Sequence, residues 1–497
     1  MRSSSTHRLF HWTLSRCHRL IIILSPVLLV SACAVGPNYK RPNVTAPSTF
    51  RGATNTAQQV SFADLPWWEI FHDETLIGLI KESLANNYDL SVAVARVEQA
   101  NQVAAQARAE YFPGATYITL LTRGHNQFLA SPINPPSGAQ AFLLAIANAS
   151  WEPDLWGRIR RTNESARAQL FASEDTRRGV MLTLVSNVSQ AYFELIGLRI
   201  RLDIAKHSAE SFATSLTLVR QRIHEGLDNE LQLSGVVTDS ANATANVAEL
   251  ERQIATKENQ ICVLLGRNPG PIETKADSLG DMPLQIPSGL PSTLLERRPD
   301  VLAAEQAVRS ASAQIGVAQA AYFPTIGLTT FFGKLSSPLE NITSGNTNAW
   351  SLGTSIGGPI FTAGAVRAQK GQATAAWEQA RAQYLQTALS AFRDVSDALI
   401  SREKLDLIRA EQAKALESNE HALDLMTMRF TNGTASGLNV LDAKQRVYSI
   451  QIALDQVEVD RRLIIIQLYK ALGGGWNLTD LQWMSANMTS NRSKQPQ

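Results

Sequence analysis

The chain is poor in cysteine, in charge of one sign and in long apolar runs. Only three cysteines occur among 497 residues, at positions 17, 33 and 262, too few for a disulfide scaffold. Lys and Arg number 46 against 44 Asp and Glu, a formal net charge of +2 with no basic tract. That balance excludes nucleic acid as the main partner. The longest apolar run, Leu20 to Val30, covers 11 residues and is broken by Ser25 and Pro26, well short of the ~20 that a spanning helix needs. Catalytic signatures are missing as well. There is no His-Glu-x-x-His, Cys-x-x-Cys, Gly-x-Ser-x-Gly or phosphate-loop pattern, so the sequence predicts no enzyme, no bound metal and no cofactor. His72, His125, His207, His224 and His421 are scattered without ligand spacing, and Gly473-Gly474-Gly475 marks a helix end. With 44% hydrophobic and 18% charged residues, the chain is nonetheless too apolar to be disordered.

What is present begins at the N-terminus. Arg2, Arg8, Arg16 and Arg19 lie before residue 33, where no acid occurs, and without them the balance becomes 42 against 44, or −2. A basic region, a short apolar stretch and the small residues Ser31-Ala32 describe a signal peptide over 1–32. Because Cys33 follows directly, the ending resembles a bacterial lipobox, which implies cleavage before Cys33 and lipid on that residue. Ala34, standing where an aspartate retains such lipoproteins at the inner membrane, implies outer-membrane sorting. Cys262 is then the one thiol left, flanked by Ile261, Val263 and Leu264, and reads as a buried structural side chain.

The remainder is written twice. Tyr111-Phe112-Pro113 returns as Tyr322-Phe323-Pro324 at an offset of 211, while Arg222, Gly226 and Leu265-Gly266 return as Arg429, Gly433 and Leu472-Gly473 at an offset of 207. This order divides the chain into a lipid-anchored extended segment (33–63), a first repeat (64–266), a linker (267–290), a second repeat (291–475) and a polar tail (476–497). The expected fold is mainly α with a small β part. In each copy a helix leads to two strands, about 114–124 and 140–152, then 325–333 and 348–358. Thr, Tyr, Ile and Phe enrichment with Gly and Pro boundaries carries the strand reading. Their length suits tilted membrane strands, and Tyr117, Trp151, Phe331 and Trp350 fit an interfacial girdle. Four strands cannot close a barrel, and an open edge in lipid is costly, so membrane insertion requires several protomers.

Long helices follow the strands. From Met181 the apolar positions Leu184, Val188, Ala191, Leu195, Leu198, Leu202, Ala205, Ala209, Phe212, Leu216, Val219 and Ile223 step by three and four without a break, a heptad seam that implies left-handed coiling. Val236, Ser240, Ala243, Val247, Leu250 and Ile254 continue it on the return, with Lys257 an exception. In the second copy Arg402, Arg409 and Arg461 stand where apolar residues are expected. One helix over 159–225 would reach about 100 Å, longer than a globular domain uses.

The residues as a set resemble the TolC-type outer-membrane channels, in the NodT-like lipoprotein branch that serves multidrug efflux. The matching stretches are Gly36-Pro37-Asn38-Tyr39-Lys40-Arg41-Pro42, Asn86-Asn87-Tyr88-Asp89-Leu90, Trp151 to Arg158, Leu294 to Val301 and Ala471 to Trp476. The resemblance implies a homotrimer with a 12-stranded barrel in the outer membrane and a coiled α-helical barrel in the periplasm. It also implies a periplasmic adaptor and an inner-membrane resistance-nodulation-division transporter as partners. The implied function is passive export of drugs or other toxic small molecules, gated at the periplasmic helix tips. Asp442 matches an aspartate lining the constriction, with Leu438 as an apolar ring beside it. Gln232 and Asn439 occupy gate positions where many relatives carry acids. Gly226 and Gly433 turn the hairpin tips, where the adaptor docks, and Asp228 and Glu230 carry charge there. Arg222 and Arg429 are candidates for closed-state salt bridges. Met426 and Met428 read as packing more than as a metal path. Two rival readings are a type I protein secretion channel, opposed by the lipobox and the Leu294–Val301 stretch, and a lipid-anchored coiled-coil scaffold, opposed by the paired strands.

Overall fold

The computed structural model describes residues 34–53, 64–70, 73–124, 140–226, 229–274, 291–336 and 347–475. Cys33, Asp228, the leader and the polar tail lie outside the described residues. In chain order the elements are α1 (Trp67–Ile70), α2 (Glu74–Asn86), α3 (Tyr88–Ala109), β1 (Gly114–Gly124), β2 (Gln140–Trp151), α4 (Arg158–His224) and α5 (Glu230–Leu264). They continue with α6 (Pro291–Arg297), α7 (Pro299–Ala320), β3 (Thr325–Ser336), β4 (Asn348–Gly357), α8 (Ala365–Thr431) and α9 (Gly437–Ala471). Helices α4 and α8 both span 67 residues, and α5 and α9 both span 35.

Two compact units divide the chain, and each takes pieces of both repeats. One comprises Met1–Pro42, Val97–Ser173 and Ala304–Tyr384; the other Asn43–Arg96, Glu174–Ala303 and Leu385–Gln497.

The first unit holds a four-stranded antiparallel sheet in the order β1-β2-β3-β4. β3 runs past residue 333 to Ser336 because Lys334, Leu335 and Ser336 find partners in Ala145, Leu144 and Leu143 of β2. Register places Tyr117, Ala147, Phe332 and Trp350 in one row across the sheet. The period of two therefore puts Phe332, not the expected Phe331, beside Tyr117 and Trp350, while Phe331 shares the opposite face with Asn148 and Ser351. The Tyr117 face also carries Leu121, Leu352 and Ile356, all exposed. The other face mixes apolar residues with Thr116, Asn148 and Ser351, and Thr116 bonds Asn148 at 2.7 Å. The Tyr117 face carries polar residues as well, at Thr119, Thr330, Lys334 and Thr354, so the large exposed apolar side chains rather than a clean alternation mark it out.

In the second unit the heptad seam of α4 is buried at Met181, Leu184, Val188, Ala191, Leu195, Leu198, Ala205 and Phe212. Leu198, Ala205 and Leu250 form a cluster with Leu202, Val247 and Ile254 packed on it, joining α4 to α5. The Asn86-Asn87 stretch has a structural reason here. Asn87 is buried, its amide nitrogen donates to the Leu264 carbonyl at 3.0 Å, and its oxygen accepts from Leu90 N–H, capping α3. Beside it Gly266, at φ +73°, lies so close that a Cβ would fall 2.3 Å from the Asn86 carbonyl oxygen.

Candidate functional site

The two hairpin ends are built alike in the second unit. Helix α4 stops at His224, and Gly226 takes φ +73° while its N–H donates to Ile223 at 2.9 Å. Asn229 then caps α5 by accepting from Gln232 N–H at 3.0 Å. In the second hairpin Gly433 takes φ +71° and donates to Phe430 at 3.0 Å. Ser436 caps α9 by accepting from Asn439 N–H, and the Ser436 hydroxyl also donates to the Asn439 side chain. A Cβ on either turn glycine would meet open space. The glycines are therefore demanded by the left-handed backbone alone, where other residues are strained.

The sequence-predicted tip residues fall around these caps. Gln232 and Asn439 supply the third helical N–H that each cap needs, and the Asn439 side chain is engaged in its own cap. Glu230 opens α5 and is exposed, placing an acid where the helix dipole favours one. Asp442 lies one turn further into α9 and is exposed beside buried Leu441, while Leu438 is exposed in the first turn. Arg222 is half-buried; the Arg429 residue is exposed, and its carbonyl accepts from Thr434 N–H at 2.9 Å. The caps Asn229 and Ser436 were legible from Asn-x-x-Gln and Ser-x-x-Asn at the helix starts.

Above the tips the helices are tied by ion pairs that explain the breaks in the seam. Lys257 reaches Glu194 at 2.6 Å and Arg199 reaches Glu258 at 2.8 Å between α4 and α5. Between α8 and α9, Arg409 meets Glu458 at 2.6 Å and Arg461 meets Asp406 at 2.8 Å. Helix α9 also binds α4: Arg201 approaches Asp455 at 3.1 Å and Gln456 at 2.8 Å, and Ser211 and Tyr448 share a hydrogen bond of 3.0 Å. Asp455 is buried, and desolvation pushes its carboxyl up to about 6 despite Arg201 and Arg462. The Leu294–Val301 stretch centres on Arg298, which holds Asp300 at 2.7 Å and Asp394 at 3.0 Å.

In the first unit the segment that begins at residue 34 is strapped to the start of the long helix. Val35 N–H donates to the Trp156 carbonyl at 3.0 Å, and Arg161 donates to Asn38 at 2.9 Å. Tyr39 donates to Glu305 at 3.0 Å, and Arg41 pairs with the same carboxylate at 2.9 Å. A Cβ on Gly157 would strike Ala34 at 2.7 Å. Residue 34 thus sits against the turn between β2 and α4, at the helix-side end of the strands.

The comparisons agree with this architecture. Residues 79–267 and 290–474 each match the outer membrane efflux protein family, one match per repeat. Outer membrane protein OprJ of Pseudomonas aeruginosa is 33% identical over 460 residues, covering 90% of this chain and 94% of OprJ. Cation efflux system protein CusC of Escherichia coli O6:H1 is 31% identical over 458 residues, covering 90% and 97%. The solved structure of the outer-membrane channel OprN superposes with a TM-score of 0.81 at 30% identity, covering 89% of this chain and all of OprN. Efflux through a duct needs no covalent chemistry, in keeping with a sequence that carries no catalytic motif. The chain belongs to the outer membrane efflux protein family: a non-enzymatic transport protein of the outer membrane.

Proposed function

We propose that the chain is the passive exit duct of a tripartite efflux pump, assembled as a homotrimer. The observation that carries this is a sheet of membrane-length strands, with large exposed apolar side chains on one face and two open edges, whose β2 and β4 each lead within a few residues into a 67-residue helix. Twelve strands from three copies would close one barrel and leave no edge in lipid. Lipid on Cys33 fits, because its neighbour Ala34 lies at the helix-side end of the strands, where the periplasmic leaflet would be.

The hairpin tips are the gate. Three copies of exposed Asp442 around a narrow opening repel one another and attract cations, and Leu438 adds an apolar ring. Gly226, Gly433, Asp228 and Glu230 form the surface met by a periplasmic adaptor, which links the duct to an inner-membrane resistance-nodulation-division transporter. Arg222 and Arg429 serve as closed-state ties between neighbouring hairpins. The cargo is a small toxic molecule chosen upstream. Met426 and Met428 stand about 200° apart on their helix and make no chelating pair for the cation traffic that CusC is named for.

Single-channel recording in a planar bilayer tests this reading, with wild type beside Asp442→Ala. Small cation-preferring currents that grow and lose their preference in the variant are expected. Equal currents would remove Asp442 from the gate, and no current from an intact trimer would overturn the duct.

A further inference from the structure

The ends of α5 and α9 are met by the same joint in both repeats, and the second copy surrounds it with charge. In the first copy the Asn87 amide donates to the Leu264 carbonyl at 3.0 Å; in the second Arg298 donates to the Ala471 carbonyl at 3.4 Å. Leu264 and Ala471 are 207 residues apart, and Asn87 and Arg298 are 211 apart, the two offsets of the duplication. The neighbours follow the same exchange. Ser186, Asn187, Gln190 and Val263 of the first copy become Arg393, Asp394, Asp397 and Lys470 of the second, while Asp89 and Asp300 are acids in both. A joint that closes on a neutral amide in one copy does not need five added charges in the other.

All five line one cavity of about 640 Å3 in the second unit, which Gln190 and Gln467 also line. Most of the charge is spent internally. Arg298 holds Asp300 at 2.7 Å and Asp394 at 3.0 Å, and Arg393 holds Asp394 at 2.8 Å. Two members are left over. Asp397 meets Arg393 only at 4.0 Å and is largely exposed. Lys470 is half-buried, and its ammonium has no ion pair and no hydrogen bond among the described residues. The helix end does not occupy it either. The carbonyls of Leu468, Lys470, Tyr469 and Ala471 already accept from Leu472, Gly473, Gly474 and Arg298 respectively. Burial and the neighbouring Arg298 push the Lys470 ammonium below the usual lysine range, as expected of a cation withdrawn from water without a partner.

The six charges, Asp300 included, sum to zero, so a bare anion at Lys470 would leave the cavity negative. A ligand carrying both signs keeps the balance. We infer that this cavity binds a small zwitterion of the amino-acid or short-peptide class, its carboxylate on Lys470 and its ammonium on Asp397. The carboxylate gains charge-assisted hydrogen bonds from the Lys470 ammonium, and the amides of Gln190 and Gln467 supply donors and acceptors for a peptide backbone. A cavity of this size is ordinary for a small-molecule site. The first copy has Val263 and Gln190 in the corresponding places and offers neither charge.

The test uses radiolabelled L-alanyl-L-alanine and the full-length protein in lipid nanodiscs, read by equilibrium dialysis. Saturable binding of one dipeptide per protomer is expected. Lys470→Val and Asp397→Gln each install the residue that the first repeat already carries, so the fold should persist in both, checked by circular dichroism and native mass spectrometry. Each should weaken the dipeptide about tenfold or more. Two blocked analogues assign the ends. N-acetyl-L-alanyl-L-alanine lacks the ammonium, and should bind more weakly than the dipeptide and be indifferent to Asp397→Gln. L-alanyl-L-alaninamide lacks the carboxylate, and should be weaker too and indifferent to Lys470→Val. No saturable binding of the dipeptide, or binding that neither substitution weakens in a folded protein, would overturn the site. An acetylated dipeptide bound as tightly as the free one would overturn the zwitterion.

Discussion

The two hairpins have equal lengths and like turns, yet they are held together by different forces. In α4 the positions Leu195 and Leu202 belong to an apolar seam, and the 207-residue offset puts Arg402 and Arg409 in their places in α8. Phe193, Leu195, Ile196, Leu198, Ala205 and Phe212 are buried in α4, whereas no residue of α8 from 400 to 431 is. The first hairpin is thus held by dehydrated apolar surface. In the second, α9 buries Leu441, Val447, Val457 and Val459, but over this stretch α8 is tied to it by Arg409–Glu458 and Arg461–Asp406, pairs with substantial exposure that contribute under about 1 kcal/mol each. Asp442 sits on the lightly held hairpin. Low local stability is what a moving element requires, so under the gate proposed above the second hairpin is the one expected to move.

The contrast can be broken first at Leu195, which is fully buried. Leu195→Ala should cost about 2–5 kcal/mol, seen as a lower unfolding midpoint of the helical signal by circular dichroism. A change under about 1 kcal/mol would mean the apolar seam does not distinguish the hairpins.

The next effect in size is a pH dependence at the contact of α9 with α4. Because burial raises the Asp455 carboxyl from 3.8 to about 6, the folded state holds that proton more tightly than the unfolded chain. The stabilisation is complete below about pH 4 and is lost as pH rises through about 6, on the order of 3 kcal/mol in total. Asp455→Asn should remove this dependence, so the stability of wild type relative to the variant falls between about pH 4 and about pH 7. Parallel curves across that window would show that the carboxyl does not titrate there.

The smallest effect sharpens the comparison. Arg409→Leu should change stability by less than about 1 kcal/mol. Raising salt from about 0.05 M to about 1 M should speed amide exchange in the middle of α8 and α9 more than in α4 and α5. The variant should lose part of that response. Equal salt responses in both hairpins would remove the ionic account.

Much of this was legible in one dimension. The 3-and-4 spacing of apolar residues from Met181 to Ile223 located the long helix, since a helix buries one face at that period. The order and spacing of Tyr-Phe-Pro and the turn glycines located the duplication, and composition located the strands. Side-chain partners across the fold were not legible. Arg409, Arg461 and Lys257 read as breaks in a pattern, because an ion pair to a residue far along the chain leaves no local period. Asn87 and Arg298 could be singled out only as parts of matching stretches; their tasks, binding the Leu264 carbonyl and joining Asp300 to Asp394, exist only between elements.

The sequence by itself determined the class of elements, their lengths and their repetition, because backbone hydrogen bonding and the burial of one face act over a few residues. Tertiary structure alone decided which aromatic joins the Tyr117 row, since pairing register is set by the partner strand. It also decided which copy of the Tyr-Phe-Pro corner is covered within the chain. Nothing local separates Phe112 from Phe323; only the arrival of Trp156 from a distant turn does.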